Sequence, residues 1–131
     1  IAALTDADIT IAVIAAIIAL ANLDEAWIAR AARSLAAGSP LSARLILRQL
    51  ARCRRVSLAE ALRTQMGISL ACATHGDIAE GVRALLIDKD HAPAWRHTHG
   101  AVPAADLEAC LAPAWPRQAH PLRELHDHVA E

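Results

Sequence analysis

The sequence predicts an all-α fold, a bundle of five to six helices with no sheet. Three observations carry this. Ala, Leu, Ile and Arg, all at home in helices, are abundant, and 55% of the chain is hydrophobic against 21% charged. Apolar residues recur at three- and four-residue spacing in successive segments. Helix-start signals precede those segments at Asp24, Ser39, Ser57 and Asp77. The 131 residues suit one domain, spanning residues 1–131, long enough to bury roughly two thirds of the surface of the unfolded chain.

The first element is Ile9 to Ala21, almost wholly apolar. As a helix it would extend about 20 Å at 1.5 Å per residue, short of the roughly 30 Å hydrocarbon core of a bilayer. It is expected to be a buried helix covered by more than one neighbour. Asp24 is then a candidate N-cap for a second helix with Trp27, Ile28, Ala31, Ala32 and Leu35 on its apolar face, stopped by Gly38. Ser39 and Pro40 supply the cap and first-turn pair of a third, with Leu41, Leu45, Ile46 and Leu50 inward and Arg44, Arg48 and Arg52 on another side.

Ser57-x-x-Glu60 reads as a capping box opening a fourth helix, where Leu58, Leu62, Met66 and Leu70 repeat at four-residue spacing and Gly76 ends it. Asp77-x-x-Glu80 repeats that logic for a fifth, with Ile78, Val82, Leu85 and Leu86 as its buried stripe. Residues 91–102 contain Pro93 and Gly100 without periodicity and read as a loop. Pro103 and Asp106 through Leu111 permit one short helix more, before Pro113 and Pro116. Residues 116–131 form a tail with, from His120 onward, a final amphipathic turn or two.

Several functional classes fall away on the same grounds. Cys53, Cys72 and Cys110 are odd in number and widely separated, which fits neither a disulfide framework nor a zinc site, and points to a reducing cytoplasm or, in a eukaryote, the mitochondrial matrix. No pattern reads as a signal peptide, and the start at Ile1 reads as a cut through a longer protein. His91, His97 and His99, and His126 with His128, lack a third ligand of definable geometry, so no metal is expected. Eight arginines from Arg30 to Arg63 face only Glu60 as an acid. Without interleaved aromatics that basic stripe, including Arg44, Arg48, Arg52 and Arg55, reads as a solvated face or a surface for an acidic partner and not as a nucleic-acid site. Neither Phe nor Tyr occurs, so three Trp carry all the aromatic bulk.

The run DIAEGVRALLIDKDHAPAW, Asp77 to Trp95, resembles the C-terminal signature of the 3-hydroxyisobutyryl-CoA hydrolases within the crotonase superfamily. The matching residues are Asp77, Glu80, Gly81, Val82, Arg83, Ala84, Ile87, Asp88, Lys89, Asp90, Pro93 and Trp95; Ile78 departs, an aromatic being usual there. SPLSARLILRQL from Ser39 to Leu50 resembles the Ser-Pro helix preceding that signature, so the resemblance covers residues 38–95 well and the flanks weakly. It implies hydrolysis of a small branched hydroxyacyl-CoA thioester in valine breakdown, with acyl-CoA as substrate and no cofactor. It also implies that the catalytic groups belong to a β-rich N-terminal core absent from this chain, which would be the main partner, alongside a possible homo-oligomer.

No catalytic residue is therefore expected here. Asp77 and Glu80 are read as caps and not as an acid–base pair, and no Gly-rich strand-to-helix turn offers an oxyanion hole. Gly81 inside a helix costs about 1 kcal/mol relative to Ala and suggests close approach of another backbone. Asp88, Lys89 and Asp90 stand at a helix C-terminus, where carboxylates oppose the macrodipole, so pairing with nearby Arg is expected. The resemblance implies a CoA-phosphate contact for Lys89. Trp95 is expected to plug the gap between loop and bundle, and Cys72 to be a buried small hydrophobe. Two readings compete: an enoyl-CoA hydratase or isomerase, disfavoured by the Asp-Lys-Asp and Pro-x-Trp elements, and a free-standing or redesigned helical interaction module.

Overall fold

The computed structural model describes residues 6–20, 25–74 and 77–126. Among them are six α-helices and no strand: α1 (Asp6–Ala19), α2 (Ala26–Ala37), α3 (Pro40–Cys53), α4 (Leu58–Thr74), α5 (Asp77–Val82) and α6 (Ala104–Leu111). A π-helical segment (Arg83–Ile87) continues α5, and a 3₁₀ turn (Arg117–Ala119) follows α6. The all-helical expectation holds.

Helix α1 packs on α2 and α3 and buries Ile14 to 2% exposure. Two neighbours pack on it, but it is not the buried helix expected: over residues 11–20 Ile14 alone is buried, and Val13 and Leu20 are among the exposed. The proposed cap Asp24 lies outside the described residues. At the start of α2 Glu25 makes no side-chain cap. Gly38 stops this helix, its N–H reaching the Leu35 carbonyl at 3.2 Å, in an ordinary extended conformation and not a left-handed one. The next start is as expected. Ser39 Oγ accepts from the Ser42 N–H at 3.1 Å and Pro40 takes the first turn.

At α4, half of the capping box forms: Ser57 Oγ accepts from the Glu60 N–H at 3.2 Å. The Glu60 carboxylate turns away, to Arg63 at 3.2 Å, because a guanidinium one turn on is a stronger donor than a backbone amide.

The core lies where α3, α4 and α6 converge, around Leu41, Leu45, Ile68, Val102, Leu107, Cys110 and Leu111. Ala71 and Cys72 pack against it. Burial raises the Cys72 thiol to about 11, with Cys110 beside it adding to the effect, in keeping with an inert apolar role.

Four expectations about faces are corrected. Trp27 is 69% exposed while Ala29 and Ala32 are buried; Ile46 and Leu50 point outward; Leu58, Leu62 and Leu70 are exposed while Ala59, Gly67 and Ile68 are buried. At Ala29, Ala32, Ala59 and Gly67 small residues occupy the buried positions, while larger side chains of the same helices, such as Trp27 and Leu58, are turned out. The stripe on α5 is likewise exposed at Ile78, Val82, Leu85 and Leu86.

The basic stripe is also not one solvated face. Arg44 is buried and donates to the Val102 carbonyl at 2.6 Å, and Arg48 meets Glu108 of α6 at 3.4 Å. Beyond α6 the described residues, up to 126, form turns and the 3₁₀ segment. His120 Nδ1 accepts from the Leu122 N–H at 3.0 Å, and Arg63 holds the segment by donating to the carbonyls of Leu122 and Leu125.

Candidate functional site: the α5 clasp and its groove

The stretch from Glu80 to Asp90 contains three acids within reach of one arginine. Helical spacing puts Glu80 one turn before Arg83. The π segment closes with the Asp88 N–H on the Arg83 carbonyl at 2.8 Å, a five-residue step that brings Asp88 and Asp90 back toward the same guanidinium. Arg83 grips Glu80 through two bonds, Nε at 2.9 Å and Nη2 at 2.8 Å. Its Nη1 reaches both Asp88 and, at 2.7 Å, Asp90, and Nη2 also touches the Ala92 carbonyl at 3.3 Å. The expected pairing of Asp88 and Asp90 with an arginine is found, and the arginine lies in the π segment just before them.

Glu80 does not act as a cap. Besides Arg83 it accepts from the Ala94 N–H at 2.6 Å, pinning the loop to the helix. Asp77 does not act as a capping carboxylate either: it is buried and accepts from Ser39 Oγ, joining the starts of α3 and α5. The capping reading fails because both carboxylates have tertiary donors that only the folded chain supplies.

Arg83 holds the Glu80 carboxyl at about 2, well below the usual range, with the Ala94 N–H as the next cause. Asp90 is lowered chiefly by Arg83 and then by the Ala92 N–H. A depressed carboxylate contributes stability above its unfolded value, near 4.5 for Glu80, and loses it as pH falls toward the folded value. The loop is therefore expected to release between about pH 4.5 and pH 2. Trp95 emission and faster exchange of the Ala94 amide will report this. Arg83→Met should move the midpoint up toward pH 4.5; an unmoved midpoint would assign the transition to other groups.

Lys89 and His91 both adopt left-handed backbone, with φ of 56° and 53°, rare for residues with side chains and concentrated where structure is constrained for use. Lys89 is exposed and has no partner among the described residues. Trp95 does plug the gap: its Nε1 donates to the Ala37 carbonyl at 2.9 Å. Gly81 is explained by the same ring, since a Cβ there would lie 3.3 Å from Trp95 Cη2. The close neighbour is thus an indole and not a backbone.

His97 lies 2.8 Å from Asp106, and His99 Nε2 3.3 Å from the Ala36 carbonyl, so these rings tie the loop to α6 and α2. Among the described residues no group of three or more His, Cys, Asp or Glu is placed to hold a metal, and no helix is long and apolar enough to cross a membrane.

Between the end of α2, the start of α3 and α5 runs a groove of about 620 Å³, lined mainly by apolar side chains, with Trp95 at one side and Asp77 and Ser39 among its few polar groups. Ile78, Val82 and Leu85 form its other margin, and Leu86 and Ile87 extend the apolar surface with exposures of 62% and 68%. No described residue combines a nucleophile, a base and oxyanion donors here; the arrangement offers a rigid edge and an apolar wall. The Arg83 hub and the exposed Leu85–Leu86–Ile87 run were not foreseen. Three consecutive apolar residues cannot share one helix face, and that was the available signal.

The enoyl-CoA hydratase/isomerase family model matches residues 1–111, and the chain belongs to that family. It is similar to mitochondrial 3-hydroxyisobutyryl-CoA hydrolase of Danio rerio, 42% identical over 71 residues, which is 54% of this chain and 19% of that protein. The Homo sapiens protein of the same name is 45% identical over 58 residues, 44% of this chain and 15% of that protein. The small ribosomal subunit protein mS47 of Arabidopsis thaliana is 33% identical over 78 residues, 57% of this chain and 19% of that protein. The chain thus spans less than a fifth of the length of these relatives.

Proposed function

We propose that this chain is the C-terminal helical part of a CoA-thioester hydrolase acting on 3-hydroxyisobutyryl-CoA or a close analogue, in valine breakdown. It packs on the catalytic core and walls the acyl-CoA pocket with the α5 groove. The observation that carries the reading is the apolar strip Ile78, Val82, Leu85, Leu86 and Ile87, left uncovered along α5 and the π segment. Burial of such side chains yields roughly 1.5–3 kcal/mol each, a strong drive for the strip to be covered. The relatives supply the occupant, since more than four fifths of their length lies outside the matched segment.

In the complete protein Lys89 reaches a CoA phosphate from the apex of the clasp, with acyl-CoA as substrate and no cofactor. The protein works in the cytoplasm or, in a eukaryote, the mitochondrial matrix, and contacts between copies are compatible with the remaining exposed faces. Release of free CoA from 3-hydroxyisobutyryl-CoA tests the reading. Residues 1–131 alone are expected to match the buffer rate, and the complete protein to turn the thioester over. Saturable turnover by the chain alone, abolished by a substitution within it, would refute the role of a wall without a catalytic centre. Lys89→Ala in the complete enzyme should raise KM with kcat held, because a phosphate contact far from the thioester binds ground and transition states alike.

A further inference from the structure

On a different part of the bundle, between α4 and the turns after α6, lies a cleft of about 390 Å³, within the size range of small-molecule sites. Its charge is one-sided. Arg52, Arg63 and Arg117 line it against one acid, Glu60. Glu60 is engaged by Arg63, whose other nitrogens donate to the carbonyls of Leu122 and Leu125. Arg52 and Arg117 come from separate elements, α3 and the 3₁₀ turn, and neither has a hydrogen bond or ion pair among the described residues. Two guanidinium forks with no ion pair among the described residues thus line one cleft.

The walls are of a second kind. Trp115 stands edge-on to His120, ring centroids 5.2 Å apart at 76°. His120 is buried at 7% exposure. Because its Nδ1 accepts the Leu122 N–H, the neutral ring carries its proton on Nε2, a donor on a cleft-lining residue. Trp115 and the prolines around it add rigid apolar surface.

We infer that this cleft is a binding site for a phosphomonoester carried on a planar or apolar body, in the size class of a mononucleotide. A phosphomonoester has a charge of about −1.5 to −2 at neutral pH and three acceptor oxygens. It can therefore engage both forks at once and offset both charges, whereas a carboxylate carries only one charge. The apolar wall takes the body of the ligand. The proposal is independent of the hydrolase reading, because it is read by binding and not by CoA release.

The test is calorimetric titration of the full 131-residue chain at low ionic strength with phenyl phosphate and with adenosine monophosphate, against inorganic phosphate and adenosine as half-ligands. At least one ester is expected to bind about tenfold or more tightly than either half-ligand, since charge and apolar contacts act together. Arg52→Ala and Arg117→Ala should each weaken it about fivefold or more with unchanged circular dichroism, while Arg30→Ala, a cation on α2 outside the cleft, should not. Trp115→Leu should weaken the esters but leave inorganic phosphate unaffected. The proposal is overturned if neither ester binds, if inorganic phosphate binds as well as the esters, if Arg30→Ala matches Arg52→Ala, or if the Arg52/Arg117 double variant keeps its affinity.

Discussion

Arg44→Ala is expected to destabilise the bundle by about 2–4 kcal/mol, the sum of an orphaned buried acceptor and a side-chain-sized void. Arg44 is 3% exposed, and its Nη1 donates to the Val102 carbonyl at 2.6 Å. That contact fixes the end of the 91–102 loop just before α6, and Val102 itself belongs to the core. The guanidinium also carries a cost, because its buried Nε has no acceptor among the described residues. Arg44→Met should therefore lose less than Arg44→Ala: it refills the volume and removes the uncompensated donor, leaving only the carbonyl unpaired. Urea unfolding measures both, as a lowered midpoint with the slope retained. A loss under about 0.5 kcal/mol for Arg44→Ala, the level of an ordinary surface substitution, would remove Arg44 from the bundle's supports.

Leu86→Asp in the complete protein is expected to abolish activity and open the C-terminal part to protease, although residue 86 is 62% exposed in the isolated chain. Docked against a core, that position loses its water. The substitution forfeits roughly 1.5–3 kcal/mol of burial and adds the cost of an unpaired carboxylate in an apolar interface. Even about 3 kcal/mol in all is a shift of about two orders of magnitude in the docking equilibrium. In residues 1–131 alone the same change should leave stability nearly unaltered. Leu58→Asp, at a residue 75% exposed on α4, is the control. If Leu58→Asp disrupted the complete protein while Leu86→Asp was tolerated, the core would sit on the other face.

What could be read from the sequence was local. Ser39 with Pro40, and Ser57 three residues before Glu60, act within a single turn, so their signals survive unchanged into the structure. Helix positions follow. The inward faces did not, because a four-residue repeat gives a face without saying which side a neighbour will take. In α4 the repeat Leu58, Leu62 and Leu70 is turned out, and Ala59, Gly67 and Ile68 meet the core. At the candidate site Trp95 was legible as a plug and Asp88 and Asp90 as partners of an arginine. Glu80 and Asp77 were misread because the Ala94 N–H and Ser39 Oγ lie 14 and 38 residues away. Leu85 and Leu86 were expected inside as part of a buried stripe, and the structure leaves both open together with Ile87.

The π segment makes this stretch sensitive to chain length in a way its composition does not suggest. Its wide turn holds one residue more than an α-turn, closing Asp88 onto Arg83 across five residues instead of four. Removal of any one residue between 83 and 87, with the wide closure kept, would draw the next residue into the turn and rotate everything beyond by about 100° around the axis. Asp88 and Asp90 would swing off the guanidinium, and Trp95 would leave its seat over Gly81. Point substitutions at Leu85 or Ile87 preserve that geometry, but a codon deletion does not. Among homologous chains, this segment should therefore be held in length as well as in its apolar character.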